Sequence, residues 1–181
     1  ENKDWVKWTT PMSINPVDAN EDIKLQTKIV PGHADFPGTL KFNHKDVRNV
    51  LERASARETA ARVAAASICK KFLSELGVEI KSRVKSVGWE ESEIDDLENI
   101  DWNYVEKSEV RASNSDEDSR FKKVIDQVKK ERTTIGGIFQ VIARNVPLGL
   151  GSHTHWDNKL DGKIAQAMAS INAVKGVEIG N

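Results

Sequence analysis

The chain has 181 residues, 38% of them hydrophobic and 30% charged, with a formal net charge of −1. That balance excludes the weakly hydrophobic, charge-unbalanced class that stays disordered, and the length suits one ordinary domain or part of a larger one. No global field draws such a chain to nucleic acid or to an acidic membrane surface, and no apolar run approaches the roughly 20 residues that span a bilayer. The single cysteine, Cys69, excludes an intrachain disulfide. Because it lies in an apolar helical run, a buried, inert thiol is expected. The first residue is Glu1, so the lack of a visible leader carries little weight, and cytoplasmic chemistry is the default.

The opening stretch to about Val30 reads as loop, with Ile23 to Val30 alternating enough for a strand. Pro31-Gly32 then punctuates the chain, and Asp46 to Glu52 suits a short helical turn. The strongest signal is Ser55 to Leu76, rich in Ala, Arg, Glu, Lys and Leu. Ser55 with Glu58 matches a capping box and Gly77 supplies the stop. Its middle, Ala60 to Cys69, is small and apolar nearly all round, which predicts a central helix buried on more than one side.

Val78 to Trp89 alternates as a strand, and the acidic Glu90 to Asp118 reads as a surface excursion. Phe121, Val124, Ile125 and Val128 share one helical face, so Asp118 to Glu131 is predicted to be an amphipathic helix. Gly136-Gly137 opens a strand over Ile138 to Val146. A further helix spans about Asn158 to Ile171, and Ala173 to Ile179 begins another strand. Strand and helix alternate without a short repeat, which argues for a mixed α/β layer structure but does not choose its topology.

Three motifs bear on chemistry. In Pro31-Gly32-His33-Ala34-Asp35 the histidine is held on a turn, where it suits proton transfer or control of a cofactor's protonation. The plainer reading, a loop histidine bonded to Asp35, is favoured by the residues alone. In Arg53-Ala54-Ser55-Ala56-Arg57-Glu58, two guanidinium groups and a hydroxyl crowd the start of the long helix, with Arg48 one or two turns earlier. Free N–H groups, the dipole and the arginines suit an anion. Capping with Arg57–Glu58 or Arg53–Glu52 surface pairs is the equal alternative. Ser170 to Gly180, taken alone, is a helix end followed by a strand. His153-x-His155 lacks a convincing third ligand, so no metal site is expected. Gly149-Leu150-Gly151 is neither a dinucleotide fingerprint nor a P-loop.

These motifs, in this order, resemble chorismate synthase. The resemblance rests on PGHAD at Pro31–Asp35, RNVLERASARETAARVA at Arg48–Ala64, IGG at Ile135–Gly137, NVPLGLGS at Asn145–Ser152, and KLD then SINAVKGVEIG within Lys159–Gly180. It covers almost the whole chain. It implies an α+β fold, a β-α-β sandwich with central helices between antiparallel sheets, and residues 1–181 as a single partial domain. The implied activity is the anti-1,4-elimination of phosphate from 5-enolpyruvylshikimate 3-phosphate to give chorismate, with reduced FMN as cofactor. NADPH and an external reductase stay open as sources of electrons. A homotetramer is implied, with no nucleic-acid or membrane partner.

The resemblance also reverses the plain reading of His33, which becomes the catalytic histidine near flavin and substrate. Arg53, Ala54 and Ser55 match a flavin-contacting stretch, and Asn172 and Ala173 a second one. Arg57 matches an arginine lining the same pocket and, with Arg48, is the candidate substrate-binding pair. Two positions depart from the family pattern: Val30 stands where arginine is common, which weakens expected substrate affinity, and Ala54 where serine is frequent. The family's Gly-Glu-Ser-His-Gly segment, Lys-Pro-Thr-type flavin loop and late Arg/Asp pair do not occur here. The expectation is therefore an internal portion of a family chain that binds FMN weakly and lacks turnover alone. The alternative is a non-catalytic FMN- or phosphate-binding scaffold of the same fold.

Overall fold

The computed structural model describes Thr9 and residues 25–180. The chain divides into two compact units, Glu1–Ala65 with His155–Asn181, and Ala66–Thr154. Six α-helices and three strands are present among the described residues: α1 (Asp35–Phe42), α2 (Arg48–Ala54), α3 (Glu58–Glu75), β1 (Glu79–Val87), β2 (Glu90–Glu91), α4 (Trp102–Lys107), α5 (Ser115–Glu131), β3 (Gly137–Arg144) and α6 (Leu160–Ala169). The class is α+β, as expected, with one antiparallel sheet among the described residues.

In the first unit, α1 covers a stretch for which the sequence reading gave no element. Pro37 falls in the first turn, where its missing N–H is one that no intrahelical carbonyl would take. Gly38 is required by packing, since a Cβ there would stand 2.4 Å from Val50 Cγ1 on α2. This close approach seats α1 on α2, with Val47 buried beside it. The short helix expected at Asp46–Glu52 is α2, shifted by two residues.

The sheet of the second unit has the order β2-β1-β3. Val87 faces Glu90 across a two-residue turn, and Gly88 supplies the positive φ of +57° that such a turn needs. β1 and β3 pair antiparallel from Glu79↔Arg144 to Val87↔Gly137, with an irregularity between Val84 and Ser86. Helix α5 begins at an Asn114 cap whose side chain accepts the Glu117 N–H at 2.9 Å. It buries Glu117, Phe121, Val124 and Val128, spaced four, three and four residues apart on one face.

Residues 90–118 correct the sequence reading. Far from a surface excursion, they place Ile100, Val105 and Ala112 in the core beside Val78, Phe121, Val124 and Val128. The acidic composition misleads because part of the core is polar. Arg83 and Glu117 are each 1% exposed. Arg83 Nη1 donates to Ser92 Oγ (3.2 Å) and Ser113 Oγ (3.0 Å), Nη2 to the Ile94 carbonyl (2.7 Å), and Nε to Gln140 Oε1 (2.9 Å). Glu117 accepts from Ser92 Oγ at 2.7 Å and from the Ser113 N–H at 3.0 Å. The two ends of segment 92–113 are thus fastened through one buried cation and one buried anion. Burial lowers the Arg83 pKa, while the Glu117 and Asp95 charges oppose that shift.

Three further expectations are corrected. Residues 25–30 and 174–180 form no strand, because neither stretch gains a ladder partner among the described residues; Ile23 and Lys24 lie outside them. Cys69 is exposed. So is the apolar side of α3, with Val63 62%, Ile68 76% and Phe72 64% exposed, because nothing among the described residues covers that side. The helix forms nonetheless, from good helix formers and i,i+4 pairs at Glu58–Arg62 and Lys71–Glu75. No helix among the described residues is long and apolar enough to cross a membrane.

Arg83 and Glu117 are opposite charges buried on shared serine partners, and removing one costs more than removing both, because the survivor's charge is left uncompensated. Glu117→Ala is expected to lower unfolding stability by roughly 3 kcal/mol, and adding Arg83→Met to restore much of it. Urea midpoints of the two single variants and the double variant measure this; simple additivity of the losses would contradict the coupling.

Candidate active site

The sequence-predicted residues fall in the first unit, on three turns and on helix α2, which carries Arg48, Arg53 and Ala54. Val30 to His33 is a reverse turn closed by the His33 N–H on the Val30 carbonyl at 3.0 Å. Pro31 and Gly32 occupy its centre and Gly32 has φ +78°, the arrangement of a type II turn. Asp35 follows, fully buried. Its carboxylate accepts the Val30 N–H at 2.7 Å and the Phe36 N–H at 2.8 Å. The proposed His33–Asp35 hydrogen bond is therefore not made: His33 Nδ1 lies 3.9 Å from Asp35 Oδ1. That ring nitrogen is buried and has no hydrogen-bond partner. A buried imidazole nitrogen without a partner has bonding capacity to offer a ligand.

The second turn joins α2 to α3. Ser55 is extended, with φ −72° and ψ 155°, and so ends α2 and caps the turn that leads into α3. Its Oγ accepts the Arg57 N–H at 3.2 Å, and its carbonyl accepts the Glu58 N–H at 3.1 Å. The Thr59 and Ala60 N–H groups bond the carbonyls of Ala56 and Arg57. This corrects the expected capping box and the expected row of free donors. The first N–H groups of α3 are spent within the turn, and Glu58 turns to Arg62 Nε at 2.9 and 3.0 Å. What remains for an anion is the dipole and the guanidinium groups.

Those groups differ in commitment. Arg48 is half-buried, and its Nε donates to both Asp46 oxygens at 3.0 and 3.1 Å. The Arg48 side-chain hydrogen bond, aided by its backbone N–H and charge, holds the Asp46 pKa below its usual value, and the same pair raises that of Arg48. Arg57 pairs with Glu52 at 3.4 Å and keeps a side chain 57% exposed. Arg53 is exposed, whereas Ala54 and Ser55 are half-buried.

The third turn follows α6 and carries Asn172 and Ala173. Asn172 Nδ2 donates to the Ala54 carbonyl at 3.3 Å, across 118 residues of sequence. This contact unites the two stretches matched separately as cofactor-binding. Ala173 has φ +71°, a left-handed conformation that is costly for a residue with a Cβ. Uncommon backbone held by its surroundings is a feature of ligand sites. The His33 turn connects to this group through the seating of α1 on α2. Sequence reasoning missed Arg62, whose Nη1 donates to Ser170 Oγ at 2.6 Å. Its i,i+4 pairing with Glu58 was legible in the spacing; its bond to Ser170 had no sequence signal.

The protein is thus of the α+β class, with motif-bearing turns that bring arginines, a partnerless buried imidazole nitrogen and a strained Asn-Ala pair into one unit. The sequence model of the family described as chorismate synthase matches residues 1–181. The chorismate synthase of Aquifex aeolicus (strain VF5) is 48% identical over 190 residues, covering 99% of this chain and 47% of that protein. That of Sulfurihydrogenibium sp. (strain YO3AOP1) is 47% identical over 183 residues, covering 99% and 46%. A solved structure titled as the crystal structure of chorismate synthase matches with TM-score 0.73 and 51% identity, over 81% of this chain and 46% of that one. The chain belongs to the chorismate synthase family, and it spans about half the length of the curated relatives it matches.

Two outcomes follow from this geometry. Because Asp46 has its pKa depressed by folding, its stabilisation is complete above the unfolded value near 3.8 and is lost as pH falls through the lower folded value. Asp46→Asn should therefore be less stable at neutral pH, by no more than about 1 kcal/mol, and indistinguishable from wild type in strong acid; thermal melts from pH 7 to pH 2 measure the convergence. Ala173→Gly relieves the left-handed strain and is expected to raise stability by about 0.5 kcal/mol, read as a shift in melting temperature.

Proposed function

We propose that this chain forms the central, flavin-facing part of a chorismate synthase, the lyase that eliminates phosphate from 5-enolpyruvylshikimate 3-phosphate to give chorismate. The observation that carries the reading is the Asn172–Ala54 hydrogen bond, which brings together two motif stretches expected to face one cofactor. The family match runs through both compact units, which supports residues 1–181 as one partial domain.

The residues present fit a flavin mononucleotide. Arg53 and the Ala54–Ser55 turn, together with Asn172 and Ala173, offer a cationic group, backbone polar groups and a side-chain amide. Reduced FMN, when bound, supplies the transient electron donation that this elimination uses. His33 acts at Nδ1, the buried nitrogen without a protein partner, where it holds or delivers a proton as the imidazole passes between its two forms. Arg57 binds an anionic group of the substrate with its exposed guanidinium and stabilises phosphate as it departs. Arg48 takes the second anionic group only by sharing its fork with Asp46. Val30 at the head of the His33 turn adds no charge, so the arginines carry more of the substrate recognition.

A homotetramer in the cytoplasm, with NADPH or a separate reductase as electron source, completes the reading. The exposed apolar side of α3 supports the sandwich arrangement, in which that helix is covered.

The 181 residues alone are expected to bind FMN weakly and to show no turnover. Flavin fluorescence titration measures the first, and an anaerobic assay of chorismate formation with reduced FMN the second. Chorismate production by the purified chain would sink the claim of incompleteness. Lack of any saturable flavin response would instead favour a phosphate-binding scaffold of the same fold.

A further inference from the structure

We propose that Arg62 is a positioning residue, a strut that sets the Asn172–Ala173 turn against the Ala54–Ser55 turn. The proposal rests on the flavin reading for its purpose, but on separate geometry for its existence. Arg62 lies on α3, one turn after Glu58, and its guanidinium is held by the Glu58 carboxylate at 2.9 and 3.0 Å. Fixed in that way, it directs Nη1 at Ser170 Oγ, 2.6 Å away and 108 residues on. Ser170 Oγ in turn donates to the Ala167 carbonyl at 2.7 Å, so its single proton is committed and its lone pairs are left to accept from Arg62. Ser170 ends α6 and stands two residues before Asn172.

The turn needs such a support. Asn172 reaches the Ala54 carbonyl at 3.3 Å, the long end of a neutral hydrogen bond, and Ala173 adopts φ +71°. Beyond its own backbone bonds, the turn is tied to Ala54 by that one long bond, and a second long-range contact at its base fixes where it sits. The charge-assisted Arg62–Ser170 bond is that contact. Arg62 touches neither proposed ligand-binding turn directly; it acts through Ser170.

Amide exchange decides whether the strut exists, and flavin binding decides what it is for. In wild type, the Ile171 N–H is bonded to the Met168 carbonyl and the Val174 N–H to the Ile171 carbonyl, both at 3.1 Å, which makes them reporters of the turn. Arg62→Ala and Ser170→Ala should each speed exchange at these amides by about tenfold, without altering exchange in β1 and β3. Ser170→Thr, which keeps the hydroxyl, should restore protection. Both alanine variants should also weaken FMN binding about tenfold, and Ser170→Thr should not. Unchanged exchange at Ile171 and Val174 overturns the strut. Faster exchange with unchanged FMN affinity overturns its positioning role. If wild type gives no saturable flavin response, the functional reading fails, and the exchange data still decide the strut.

Discussion

The first unit depends on closing a chain that departs at Ala65 and returns at His155. The tie between Asn172 and Ala54 spans 118 residues, a closure whose entropic cost is about 4 kcal/mol if the intervening chain is flexible. One neutral hydrogen bond returns only about 1 kcal/mol. The bond cannot therefore be the cause of closure; it reports a closure driven elsewhere. Two things lower the cost. Residues 66–154 are themselves folded, so the loop is far from flexible, and Arg62 adds a charge-assisted bond to Ser170. Within residues 66–154, the buried Arg83–Glu117 network fastens the two ends of segment 92–113.

Much of this was legible from residue types. The long helix, the amphipathic face of Phe121, Val124 and Val128, and the two long strands all follow from period and propensity, and they end within a few residues of their predicted limits. The misreadings have physical reasons. Helix α1 was not foreseen, although proline is tolerated in a first turn and glycine is needed for contact with Val50. Segment 90–118 was judged by its charge, although Arg83 and Glu117 neutralise each other inside and Val105 and Ile100 do the apolar packing. Local pattern has no access to pairings of that range.

The site shows the same division. Motif order singled out the Ala54–Ser55 and Asn172–Ala173 stretches, which the structure brings together through the Asn172–Ala54 bond, and the Gly32 turn was readable from Pro-Gly. Which atoms stay available was not readable. The helix start looked like a row of free donors, but Ser55 bends the chain so that its own carbonyl and those of Ala56 and Arg57 take them. His33 looked satisfied by Asp35, but that carboxylate is consumed by the backbone of Val30 and Phe36. In both cases short-range backbone bonding, which sequence patterns describe only on average, redistributed the polar capacity.

That redistribution bears on how an anion is received. Arg48, Arg57 and Arg62 are each matched by a carboxylate within five residues in sequence. An incoming anion must compete with those carboxylates, and the competition is unequal. Arg48 and Asp46 are each only 14% exposed, so separating them strands a poorly solvated charge. Arg57 and Glu52 meet at 3.4 Å with Arg57 largely in water, and such a pair has little to lose. Of these three, Arg57 therefore has the least to lose in meeting an anion, and Arg48 does so only where the ligand keeps Asp46 bonded or replaces its contacts in full. Arg62, bound on one side to Glu58 and on the other to Ser170, is better suited to holding a turn in place than to meeting a ligand.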